Sequence, residues 1–127
     1  GILVTKIIYV KKNEKKDFII LDAAMNDLMR PALYGAKHKM LPINKTNKVS
    51  KKTYEFVGPI CESTDIFTSL KNFQKLQEND LIAICDVGAY GTSLSSNYNL
   101  RPKAIELFIK GSKIKIIKKR QKHKDLM

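Results

Sequence analysis

The sequence predicts a mainly β fold, an antiparallel Greek-key-type β-barrel or sandwich with one or two short helices. Three observations carry that expectation. Apolar segments of strand length, rich in Ile, Val, Phe and Tyr, recur along the chain between charged or Gly/Pro-bearing turns. Helix start and stop signals are confined to short stretches, chiefly residues 22 to 36. Finally, residues 104 to 110 and 113 to 118 alternate around Gly111-Ser112, the pattern of a hairpin closed by a tight turn.

Taken in order, residues 2 to 10 (ILVTKIIYV) and 17 to 22 (DFIILD) read as two strands joined by the charged turn KKNEKK. Residues 23 to 35 then carry a short helix that Asn26 or Asp27 can cap, with Pro31 in its first turn and Gly35 as its stop. Arg30 and Tyr34 lie four residues apart and so share a face of it. Residues 38 to 43 suggest a short strand that Pro42 places at an edge or an end. A lysine-rich loop over 44 to 52 leads into a strand from Thr53 to Val57. Ile66 to Gln77 shows no clean period and receives no assignment. Leu81 to Val87 is nearly all apolar, as expected of a strand buried on both faces with Cys85 as a small core residue. It empties into the glycine-bracketed turn Gly88 to Gly91, which presents the hydroxyl of Tyr90, and then into a polar tract, Thr92 to Asn99, that suits a pocket wall. In the terminal hairpin Ile105, Leu107 and Ile109 share a face that Ile114 and Ile116 continue, and the basic tail 119 to 127 is expected to be a short helix or frayed. About seven strands result.

With 127 residues, 43% of them hydrophobic, the expected organisation is one domain over residues 1 to 127 around one core. No apolar run approaches the roughly 20 residues of a membrane-spanning helix, and the start has no secretory pattern, so the expectation is a cytoplasmic protein without a membrane partner. Cys61 and Cys85 are far apart without C-x-x-C spacing, which suggests free thiols and no metal site. The net charge of +12 would suit a small basic barrel that binds RNA or single-stranded DNA. Of 24 cationic residues, however, only Arg30, Arg101 and Arg120 are arginine, and the Tyr and Phe residues do not interleave with basic ones on a strand face. A solvated lysine-rich surface, with no nucleic-acid partner, is the better reading.

Chemistry concentrates after Gly58-Pro59, where a thiol, a carboxylate, a hydroxyl and a second carboxylate follow in Cys61-Glu62-Ser63-Thr64-Asp65. Alone, this stretch also fits a polar turn with an incidental cysteine. Its company changes the reading. DAAMNDLMRPALYGA (22 to 36), VGPICESTD (57 to 65) and DVGAYGTSLSSNYNLRP (86 to 102), in this order and spacing, resemble the C-terminal β-barrel domain of the diaminopimelate decarboxylase family of pyridoxal-phosphate enzymes, over essentially the whole chain. The related ornithine and arginine decarboxylases share the Gly-Pro-x-Cys turn but typically carry Asp after the Cys and lack the SNYN-type tract, so Glu62 and Asn97-Tyr98-Asn99 favour the diaminopimelate branch.

The resemblance implies a lyase that converts meso-diaminopimelate to L-lysine, with pyridoxal phosphate held as a Schiff base by a lysine of an N-terminal (β/α)8 domain. That domain is not among these residues, and Gly1 in place of Met reads as the continuation of something longer. It further implies that Cys61 is the proton donor, a role that suits a thiol, whose ordinary pKa is about 8.5. Arg30 and Tyr34 match substrate-binding residues, the guanidinium forking onto the distal carboxylate. Glu62 matches the residue that faces the distal ammonium, and Tyr90 one that touches both cofactor and substrate. Asp65, Asn97 and Tyr98 receive no direct role. The resemblance also implies a homodimer, because the Cys-Glu loop reaches the partner subunit's site. A fragment of this kind should be inactive alone. A catalytically silent relative that uses the fold only for association is less well supported, since Cys61 and Glu62 are both present.

Overall fold

A computed structural model describes all residues from Gly1 to Met127. Eight strands form in chain order: β1 (Ile2–Lys11), β2 (Lys16–Leu21), β3 (Met40–Pro42), β4 (Thr53–Val57), β5 (Ile66–Leu70), β6 (Leu81–Cys85), β7 (Glu106–Lys110) and β8 (Lys113–Lys118). Two short helices, α1 (Arg30–Tyr34) and α2 (Ala89–Thr92), interrupt them, and 3₁₀ turns cover Tyr98–Leu100 and His123–Leu126. No helix is long and apolar enough to cross a membrane.

Six strands make one curled sheet, a half-barrel, in the order β3-β6-β1-β2-β4-β5, while β7 and β8 pair separately. The mainly β architecture is as expected, with one correction to its strictly antiparallel character. β2 and β4 run parallel, Ile19 lying opposite Phe56. A parallel neighbour needs a long crossover rather than a hairpin turn, and residues 22 to 52 supply it. That crossover carries α1 and the first of the three functional stretches.

Period-2 alternation explains the core. In β2 Asp17, Ile19 and Leu21 point inward, and in β4 Tyr54 and Phe56 do so. With Ile7, Leu28, Met40, Phe67, Ile82 and Ile84 the apolar ones, Ile19, Leu21, Tyr54 and Phe56, form one buried cluster. Phe56 sits at its centre, edge-on to Tyr54 at 6.3 Å and to Phe73 at 5.4 Å. Inward-facing Asp17 is matched by Lys52 Nζ at 3.2 Å and by the Asn13 N–H.

Other expectations need adjustment. β6 is buried only at Ile82, Ala83 and Ile84, the three residues that β3 lies opposite; Leu81 is exposed and Cys85 half-buried. The unassigned stretch after Ile66 contains β5, whose single inward residue is Phe67. Gly88 to Gly91 is not an open turn but leads into α2. The terminal hairpin forms as expected, Leu107 opposite Ile116 and Ile109 opposite Ile114.

Candidate active site

The first functional stretch leaves the core at the end of β2 and is tied down at once. Thr5, buried in β1, donates its hydroxyl to Asp22 Oδ1 at 2.6 Å and accepts the Ala23 N–H at 3.0 Å. The Leu28 side chain, 1% exposed, plugs the core, and Asp27 Oδ2 accepts the Ala24 N–H at 3.0 Å. α1 follows, shorter than expected. Its N-cap is Met29 and receives no side-chain hydrogen bond, so neither Asn26 nor Asp27 caps it. Pro31 does lie in the first turn, and Gly35 ends the helix in the left-handed region at φ 64°. Arg30 and Tyr34 share a face as the spacing requires: the Arg30 guanidinium carbon stands 5.5 Å from the Tyr34 ring and 6.0 Å from that of Tyr90. Tyr34 is 64% exposed and Tyr90, on α2, 70%.

The second stretch begins where β4 ends. Gly58 turns the chain so tightly that an added Cβ would fall 2.2 Å from Asp65 Oδ2. The loop closes on itself, with the Gly58 N–H donating to the Asp65 carbonyl at 3.0 Å and the Asp65 N–H to the Glu62 carbonyl at 3.0 Å. Cys61 and Glu62 stand exposed at its tip, and the Ile60 side chain is buried beneath them. Asp65 itself is buried. Its Oδ2 accepts the Ile60 N–H at 2.9 Å, and its Oδ1 reaches across to accept the Met25 N–H at 2.7 Å. Burial pushes this carboxyl up, and the two N–H donors only partly oppose that shift.

The third stretch meets both others. The Tyr98 hydroxyl donates to Glu62 Oε2 at 3.1 Å, and that hydrogen bond, together with the carboxylate's charge, raises the phenol above its ordinary range. On the other side Arg101 Nε donates to Asn26 Oδ1 at 2.9 Å and its Nη2 to the Asp22 carbonyl. Asn26, 1% exposed, also donates from Nδ2 to the Ser96 carbonyl at 3.3 Å, and its own carbonyl accepts the Ser96 N–H at 2.9 Å. Asn97 donates to the Arg101 carbonyl at 2.9 Å and to Gln121 Oε1 at 2.7 Å, which ties in the tail.

The sequence-assigned residues therefore fall into two groups. Arg30, Tyr34 and Tyr90 cluster directly; Cys61 and Glu62 share the tip of the neighbouring loop, with Tyr98 braced on Glu62. The groups are connected through Asp65 and the Met25 backbone, and the Thr64 hydroxyl also lies 4.0 Å from Met25 Sδ. The bracketing roles of Asn26, Arg101 and Gln121 escaped the sequence. Arginine scarcity could have flagged Arg101, whereas nothing in the sequence singles out Gln121. No cluster of three or more His, Cys, Asp or Glu is arranged to hold a metal ion.

The fold is shared with known proteins. Residues 1–88 match the family described as pyridoxal-dependent decarboxylase, C-terminal sheet domain. The chain belongs to that family. It is 44% identical over 126 residues to the diaminopimelate decarboxylase of Helicobacter pylori strain J99, covering 99% of this chain and 31% of that protein. The Vibrio cholerae diaminopimelate decarboxylase is 44% identical over 121 residues, 95% of this chain and 28% of the relative. The crystal structure of the Helicobacter pylori enzyme complexed with L-lysine superimposes with a TM-score of 0.86 at 46% identity, over 98% of this chain and 30% of that one. This member of the family thus spans less than a third of the length of the curated relatives it matches.

Proposed function

We propose that this chain is the C-terminal part of a diaminopimelate decarboxylase, supplying the substrate-binding and proton-donating wall of a site completed by an N-terminal (β/α)8 domain. The observation that carries the reading is the placement of a thiol and a carboxylate, Cys61 and Glu62, at one loop tip fastened to the stretch that leads to Arg30 and Tyr34. Identity to enzymes of that name supports it.

Pyridoxal phosphate, when bound, supplies the electron sink that lets an amino acid lose its α-carboxylate. Tyr90 fits a contact to that group, because its ring is exposed beside the Arg30 guanidinium. Covalent attachment of that group falls to a lysine of the N-terminal domain. Arg30, oriented between two phenol rings, presents its guanidinium to the distal carboxylate of meso-diaminopimelate, beside the Tyr34 hydroxyl. Glu62 takes the distal ammonium, and the Tyr98 hydroxyl holds one carboxylate oxygen while leaving the other for substrate. Cys61 Sγ hands a proton to the carbon from which CO2 has departed, giving L-lysine. In the complete protein, a cytoplasmic homodimer, this loop serves the partner subunit's site.

In the full-length enzyme Cys61→Ala is expected to lower kcat by about 10²- to 10⁴-fold, the worth of a positioned proton donor, with cofactor absorbance unchanged. Glu62→Ala should instead raise KM and relax the preference for diaminopimelate over analogues that lack the distal ammonium. A Cys61→Ala enzyme that turns over within about twofold of wild type would remove the thiol from the chemistry.

A further inference from the structure

Asp65 joins the two halves of the site through two backbone N–H groups, and the proposed chemistry leaves it unused. It is 3% exposed and forms no ion pair with any Lys or Arg of the chain. A buried carboxylate without a cation is costly, and burial accordingly pushes its pKa up. An amide of the same shape would remove that charge. An amide cannot do the same job, however, because it has one acceptor oxygen and an NH2, whereas Asp65 accepts two backbone N–H groups with two different oxygens, Met25 at 2.7 Å and Ile60 at 2.9 Å. Those donors are not equivalent by position. Ile60 directly precedes Cys61, and Met25 lies in the loop that leads to Arg30. Gly58 leaves room for the carboxylate where any side chain would strike it.

We propose that Asp65 is a positioning residue, a two-oxygen latch that sets the register of the Cys61 loop against the Arg30–Tyr34 segment and thereby aims the thiol at bound substrate. This rests on the reading of Cys61 as proton donor. Misplacement of a reacting group by about 1 Å can cost on the order of 10²-fold. The latch therefore acts on turnover through Cys61.

The test uses the full-length enzyme with Asp65→Asn, Cys61→Ala and the double variant. Asp65→Asn should lower kcat by about 10- to 100-fold, with a smaller change in KM and the cofactor spectrum retained. In the double variant the loss should be no greater than in Cys61→Ala alone, since an aim matters only while there is a thiol to aim. Losses that multiply, or an Asp65→Asn enzyme with unchanged kcat, would overturn the proposal. Should Asp65→Asn not fold, hydrogen exchange on the wild-type enzyme decides: Met25 and Ile60 amides should both be protected, and either one exchanging like an open loop amide would overturn the latch. The two readings fail separately. Full activity in Cys61→Ala defeats the proton-donor role, while unprotected Met25 or Ile60 amides defeat the latch whatever Cys61 does.

Discussion

Burial pushes the Asp27 carboxyl above its ordinary range, and neither the Ala24 N–H nor Arg101, 4.0 Å away, fully opposes the shift. A carboxyl raised in this way binds its proton more tightly in the folded state than in the unfolded one. Its contribution to stability is therefore present at low pH and lost as the pH rises through the folded-state pKa. Asp27→Asn keeps an oxygen to accept the Ala24 N–H and removes the buried charge. The variant should be at least as stable as wild type at neutral pH, and any advantage should vanish by about pH 3, where an aspartate is protonated in both states. Urea midpoints at the two pH values measure this. A variant weaker at neutral pH than in acid would show that attraction to Arg101 outweighs desolvation. At this scale the sequence was half legible. Arg30 and Tyr34 can be paired from spacing alone, but the cap expected from Asn26 or Asp27 does not form, and the Asn26 partner Arg101 lies 75 residues away.

Between elements, the junction of β4 with the Cys61 loop depends on Gly58. An alanine there would put its methyl carbon 2.2 Å from Asp65 Oδ2, so either the carboxylate or the turn must move. Overpacking of this kind costs about 1–3 kcal/mol, and Gly58→Ala should lower the unfolding free energy by that much. It should also speed hydrogen exchange at Met25 and Ile60. Unchanged protection at both amides would mean that the turn yields and the carboxylate stays. The strands showed uneven legibility for physical reasons. β7 and β8 could be read because a two-residue turn sets their register locally. β5 could not, since of its residues only Phe67 is buried and five residues with one inward side chain carry little period. The parallel pairing of β2 with β4 is a tertiary choice that neither strand's own pattern records.

Across the whole molecule, the half-barrel holds its functional groups on an exposed surface rather than inside a cavity. Cys61 and Glu62 are exposed, as are Tyr34 and Tyr90. A depression among Lys15, Lys51, Lys52 and Lys71 and another between α1 and β5 are lined by none of these four residues. The mainly β class was legible because alternation reports burial on one sheet face. An open wall, in contrast, becomes legible only when the burial of each side chain is known. Such a wall excludes water only when another surface closes over it, and in the proposed dimer the N-terminal domain of the partner subunit does so. Subunits carrying Cys61→Ala can therefore be mixed with subunits whose cofactor-bearing lysine has been replaced. In a mixed dimer one site would combine an intact lysine with an intact Cys61, and the other would lack both. Random pairing makes half the dimers mixed, each with one competent site of two, so activity should recover to about a quarter of wild type at most. Mass spectrometry of the intact dimers establishes that exchange has occurred. Recovered activity that follows the mixed fraction is the expected result, whereas exchanged but inactive dimers would place Cys61 in its own subunit's site.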